Sequence, residues 1–200
     1  MDVKYQFNKT ALQALDKDLK VRVKALPTLH AKEAALRAEV KRVKEAVKAL
    51  ETELLALGGE AEGALRLFGE FPEVISLSRV RTRTRNIAGV RVPEFEGLDF
   101  SVQSFSLFSE PKWLLDGLRM VRETAALRVR LKIVKEELRI LQYARRKTTQ
   151  KVNLYEKVQI PAFEEAIRRI KRFLEDEENL AKSAQKLLKA RKAARAAQCM

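Results

Sequence analysis

The chain has 200 residues, of which 34% are charged and only 6% aromatic; 41 basic against 27 acidic groups leave a formal charge of +14. Scarce glycine and proline beside abundant Ala, Glu, Lys, Leu and Arg argue against a sheet-rich core and for long helices, and the charge calls for an acidic partner: nucleic acid, an anionic membrane surface or an acidic protein cavity. The one cysteine, Cys199, leaves no internal disulfide to form, and no run approaches the roughly 20 apolar residues of a membrane span. The N-terminus lacks an apolar signal core, so a cytoplasmic protein, soluble or peripheral to a membrane, is expected.

The first helix is expected to begin at Asn8 or Thr10, either of which can cap it, and to close at Gly58-Gly59. Leu12, Leu15, Leu19, Leu26, Leu29, Leu36, Val40, Val43, Val47, Leu50, Leu54 and Leu57 follow one alternating 3,4 spacing, with charges only at Arg22 and Glu33. That repeat predicts a left-handed coiled coil. Roughly 50 residues at 1.5 Å each make a helix of about 75 Å. Pro27 removes a backbone donor, so a kink or local break is expected there.

The middle of the chain changes character. Six of the seven glycines lie between Gly58 and Gly97. Arg79, Arg81, Arg83 and Arg85 alternate with Ser78, Val80, Thr82 and Thr84, the turn-like Asn86-Ile87-Ala88-Gly89 follows, and Val90-Arg91-Val92 resumes a β pattern before Pro93. This predicts a β-hairpin near 77–92. Leu98, Phe100 and Val102 suggest a further short strand, and the polar faces of the first strand suggest that it is exposed or covered by a partner.

The second long helix is expected from Ser109-Glu110-Pro111 towards Ala197. Leu127, Leu131, Val134, Leu138, Leu141, Arg145, Thr148, Val152 and Tyr155 form one 3,4 series. Ile160, Phe163, Ile167, Ile170, Leu174, Glu177, Ala181, Ala184 and Leu188 form another, displaced by one residue near Pro161. A proline kink with a local change of twist is the expected cause. The expected fold is therefore mainly α: a long antiparallel two-helix coiled coil with a small central hairpin-containing segment. Residues 1–58 are the N-terminal helix, 59–110 the central segment and 111–200 the C-terminal helix. If the termini lie together, Leu57 falls opposite Arg145. Pairs four residues apart, Lys171–Glu175, Arg172–Asp176 and Glu178–Lys182, would support an exposed helix.

Material for catalysis is thin. No glycine-rich phosphate loop occurs, and His30 is the only histidine, far from Cys199. No catalytic residue, cofactor or metal site is expected, and the chain is read as a non-enzyme.

Three stretches carry a family resemblance. Gln150-Lys151-Val152-Asn153-Leu154-Tyr155-Glu156-Lys157-Val158-Gln159-Ile160-Pro161 is similar to a Val-Asn-Ala-Leu-Glu segment followed by Ile-Pro inside a long helix, matching at Val152, Asn153, Glu156, Ile160 and Pro161 and departing at Leu154 and Tyr155. Asn86-Ile87-Ala88-Gly89-Val90-Arg91-Val92-Pro93 is similar to an Ala-Gly-Val-x-x-Pro hairpin, and Leu26-Pro27-Thr28-Leu29-His30-Ala31-Lys32-Glu33 stands where a Gly/Leu-Leu-Lys-x-Lys run is usual, departing at its proline and alanine. Together they resemble the D subunit of the vacuolar/archaeal-type (V-type) ATPases.

The resemblance implies a rotor shaft without chemistry of its own, coupling ATP hydrolysis or synthesis to ion translocation. Its paired termini would sit inside the hexamer of catalytic A and B subunits. Its lower part would carry the small F subunit and rest on the C subunit (called d in eukaryotes), which docks on the membrane ring, so the chain would be peripheral to the membrane without entering it. Stretches 43–57 and 131–148 are the expected contact for the F subunit. The expected partner-binding residues are Lys186, Lys189, Arg191, Lys192 and Arg195 in the basic tail, and Val152, Asn153, Glu156 and Pro161 of the motif. The alternative is a basic coiled coil that binds nucleic acid, favoured by the charge and the strand arginines, or an adaptor with a coiled-coil stalk.

Overall fold

Asn8 opens the first helix by accepting the backbone N–H of Ala11 on Oδ1 at 2.6 Å, a side-chain N-cap. In a computed structural model that describes residues 5–61, 71–105 and 113–198, this helix, α1, spans Lys9–Ala61. A hairpin of β1 (Ile75–Ile87) and β2 (Val90–Val102) follows, then α2 (Leu114–Leu154), a π-helical turn (Tyr155–Gln159) and α3 (Ile160–Gln198). The chain is mainly helical, as its composition predicts. It divides into two compact units, one made of Met1–Ala31 with Thr149–Met200, the other of Lys32–Thr148.

Every position of the first 3,4 series, from Leu12 to Leu57, is buried or half-buried, including the charged Arg22 and Glu33. The charges survive there because each finds a partner. Arg22 donates from Nε to Gln159 Oε1 at 2.9 Å and lies 4.4 Å over the ring of Phe163. Glu33 accepts from Arg37 at 2.9 Å one turn on. α1 runs unbroken through Pro27.

In the unit that holds both termini, Leu15 packs with Phe163, Ala166, Ile167 and Ile170. Phe7 meets Phe173 with ring centroids 4.9 Å apart, while further along α1 His30 faces Glu156 at 3.9 Å. Rising numbers on one helix meet falling numbers on the other, so the pair is antiparallel. In the other unit Leu36, Val40 and Val43 of α1 pack with Leu141 of α2, and Val47 and Leu50 pack with Leu131. Lys135 reaches Glu51 at 2.7 Å, again antiparallel.

The hairpin turn consists of Ala88 and Gly89, with φ of 49° and 79°. Two consecutive positive φ values define the type I′ turn, whose twist suits a two-residue hairpin. Ile87 and Val92, beside the turn, are buried in the cluster with Leu36, Val40 and Leu141, so the tip of the hairpin docks on the helices. Away from the tip β1 is exposed on both faces from Ser76 to Thr84.

Three expectations need correction, and a fourth falls outside the described residues. α1 does not stop at Gly58-Gly59 but continues to Ala61; both glycines lie in open space without positive φ, so nothing forces a cap there. The hairpin is longer than 77–92, and Leu98, Phe100 and Val102 belong to β2 itself, since register shifts at Leu77/Arg79 and Arg81/Thr82 let 13-residue strands stay paired. The proposed start at Ser109-Glu110-Pro111 lies outside the described residues, and α2 is seen from Leu114. Leu57 shares a groove with Ala126 and Leu127 rather than facing Arg145. Lys9, at the start of α1, lies within electrostatic reach of Glu178, and α3 continues beyond Glu178 to Gln198.

Candidate functional site

α3 outruns its cover. Burial along it ends at Leu174, and every residue from Glu175 to Ala193 is exposed, the last whose side chain is described. Lys186, Lys189, Arg191 and Lys192 all stand on this exposed stretch, while the side chain of Arg195 lies outside the described residues. Leu180, Leu187 and Leu188 are 72%, 65% and 58% exposed. Apolar and cationic side chains thus stand together on this exposed end of the helix. Of the three pairs expected at four-residue spacing, only Glu178–Lys182 closes, at 2.9 Å. Its Lys182 hydrogen bond and charge hold the Glu178 carboxyl below the usual range, and Lys9 adds to the effect.

The motif residues separate into two groups. Val152 is buried at 6% exposure, so its side chain serves packing within the chain. Asn153, Glu156 and Pro161 are exposed. Between them the helix changes type. Ile160 donates its backbone N–H to the carbonyl of Tyr155, five residues back, and Pro161 then stands where no donor is available. The turn takes in one extra residue, which is the one-residue displacement between the two 3,4 series. Glu156, within this turn, is the residue that faces His30.

A charged cluster clasps the hairpin tip. Arg42 donates from Nε to Glu39 at 2.6 Å, and Arg85 of β1 lies 3.7 Å from the same carboxylate and 3.6 Å from Glu94 of β2. Burial pushes the Glu137 carboxyl of α2 above its ordinary pKa; attraction by Arg42 and Arg85 opposes this, and repulsion by Glu39 and Glu94 adds to it. Three carboxylates thus share two guanidinium groups. The sequence reading missed this cluster, whose local signal was the three-residue spacing of Glu39 and Arg42.

Among the described residues no group of three or more His, Cys, Asp or Glu is placed to hold a metal, and no helix is long and apolar enough to cross a membrane.

Comparison with known proteins adds a second line of observation. The profile of the family described as the D subunit of ATP synthase matches residues 11–190. The V-type ATP synthase D subunit of Borreliella burgdorferi is 30% identical over 181 residues, covering 89% of this chain and 90% of that protein. The protein of the same name from Chlamydia muridarum is 26% identical over 88% of this chain and 90% of its own length. The one from Chlamydia abortus is 30% identical over 76% of each.

Proposed function

The chain belongs to the ATP synthase D-subunit family, and from that premise we propose that it is the central shaft of a V-type rotary ATPase, carrying torque between catalytic subunits and a membrane ring. It is a stalk subunit of such a complex; the observation that carries this is the family match over residues 11–190. The proposal extends to what it touches. The exposed end of α3, with Lys186, Lys189, Arg191, Lys192 and Arg195, turns inside the hexamer of A and B subunits. The F subunit lies against the facing surfaces of stretches 43–57 and 131–148, Asn153, Glu156 and Pro161 contact a partner subunit, and the lower part rests on the C (or d) subunit. The chain performs no catalysis and enters no membrane.

The physics of a bearing supports this reading. Exposed ion pairs contribute only about 0–1 kcal/mol each, so a basic helix end can slide past successive partners without being trapped. Helices gripping along a 3,4 seam, with partnered charges at Arg22 and Glu33, resist twisting better than one helix alone. The nucleic-acid reading is not favoured.

The test is capture of tagged protein from cell extracts at about 0.3 M salt, where exposed charge pairing is largely screened. Co-purification of two large nucleotide-binding subunits with ATPase activity is the expected result. Recovery of nucleic acid instead, or of no ATPase component, would overturn the proposal.

A further inference from the structure

Among the described residues the sheet has two strands, so β1 pairs with β2 along one edge and has no partner strand on the other. Backbone groups on the other edge are a ready template for one more strand. Proteins blunt such edges with proline, and β2 does so with Pro93, whereas β1 has none.

The direction of these backbone groups follows from the register. Thr84 faces Pro93, which has no N–H. That pair therefore sits at a position exchanging no hydrogen bonds with β2, and the N–H and C=O of Thr84 point to the outer edge. Two residues to either side, those of Thr82 and Asn86 do the same. Their side chains alternate with Arg79, Arg81, Arg83 and Arg85, which share one face of the strand.

The charge on β1 selects the occupant. The strand carries four arginines and no acid. Arg81 and Arg85 are engaged by Asp99 and Glu94, but Arg79 and Arg83 form no ion pair among the described residues. A second copy of β1 would set arginines against arginines, and like charges directly opposed across strands are destabilising. An extended segment rich in Asp or Glu meets the free guanidinium groups instead. We propose that the outer edge of β1, from Val80 to Asn86, accepts an acidic extended segment of another protein as a third strand, held by backbone hydrogen bonds to Thr82, Thr84 and Asn86 and by carboxylates on Arg79 and Arg83. The proposal does not depend on the rotary assignment.

The experiment titrates the full chain into a dye-labelled peptide of about ten residues alternating glutamate with threonine, followed by fluorescence anisotropy. Thr82→Pro removes an outer-edge donor while leaving the β1–β2 ladder its bonds; the double variant R79E/R83E reverses the free charges. Each is expected to weaken binding about tenfold. Carbon-13 labels on the peptide carbonyls should show a β-strand infrared band on binding to the unaltered chain. Loss of binding in R79E/R83E with Thr82→Pro unaffected would reduce the contact to bare charge attraction and overturn the strand. Should Thr82→Pro loosen the hairpin itself, the infrared band decides, and its absence overturns the proposal. Binding of an oligothymidylate probe in place of the peptide, or dimerisation of the chain through β1, would overturn it as well.

Discussion

Ile160 donates its backbone N–H to the carbonyl of Tyr155, five residues earlier, immediately before Pro161. Tyr155 and Ile160 both keep inward positions although five residues separate them, because the π turn absorbs the extra one. Removing Val158 together with Pro161→Ala should therefore leave a continuous α-helix with Phe163 and Ile167 still facing Leu15. We expect its unfolding midpoint to equal or exceed that of the parent in thermal melts by circular dichroism. A one-residue insertion after Leu131 has no such absorber; it rotates everything beyond it by about 100° and should cost several kcal/mol. Equal damage from both changes would mean that the π turn does not store the phase.

Periodicity was readable because it reports on sides of a helix. The whole series from Leu12 to Leu57 turned inward, Arg22 and Glu33 included, and the slip near Pro161 foretold a local change of twist, though not that the turn would be π-helical. Axial stagger left no such trace. Leu57 is as regular a seam residue beside Ala126 as it would be beside Arg145, and the packing of Val47 and Leu50 on Leu131, with Lys135 on Glu51, decides between them. The docked hairpin tip was equally hidden, because Ile87 and Val92 look like any strand residues until Leu36 and Leu141 cover them. Of the proposed contacts, the charged tail was legible as a run of cations. The burial of Val152 was legible from its place in the 3,4 series, where a motif match had marked it for a partner instead.

Ala88 holds φ at 49°, the first central position of the type I′ turn, where a side chain with a Cβ is strained and asparagine is preferred. Ala88→Asn should stabilise the hairpin by about 0.5–1 kcal/mol, and Gly89→Ala should destabilise it by about 1 kcal/mol. Hydrogen exchange of the Ile87 and Val90 amides reads the effect locally. Slower exchange in the first variant and faster exchange in the second are expected. No change in either would show that docking on Leu36 and Leu141, rather than the turn, holds the tip.

Glu137 has its pKa raised in the folded chain, chiefly by burial. Folding therefore favours its protonated form. The stability this contributes is fully present below the ordinary glutamate pKa, about 4.3, and is lost as pH rises through the raised folded value. Glutamine cannot ionise, so Glu137→Gln should match the parent near pH 4 and be the more stable protein at neutral pH. Melting both proteins across that range checks the sign. A glutamine variant that is weaker at neutral pH would mean that attraction to Arg42 and Arg85 outweighs burial.

Leu36 and Leu188 make a matched pair of leucines in opposite settings, one at 0% exposure and the other at 58%. Leu36→Ala removes a side chain enclosed by Val40, Ile87 and Leu141, and should cost the free chain about 2–5 kcal/mol in chemical denaturation. Leu188→Ala removes one held in water and should stay within about 0.5 kcal/mol. In the assembled ATPase the order of effects should reverse at the level of turnover. Leu188→Ala, above all with Leu187→Ala, takes apolar surface from the proposed bearing and should lower coupled ATPase activity, while leaving the isolated chain's melting curve untouched. If the isolated chain instead loses stability at Leu188, the end of α3 is already packed in the free protein and is not a surface waiting for the hexamer.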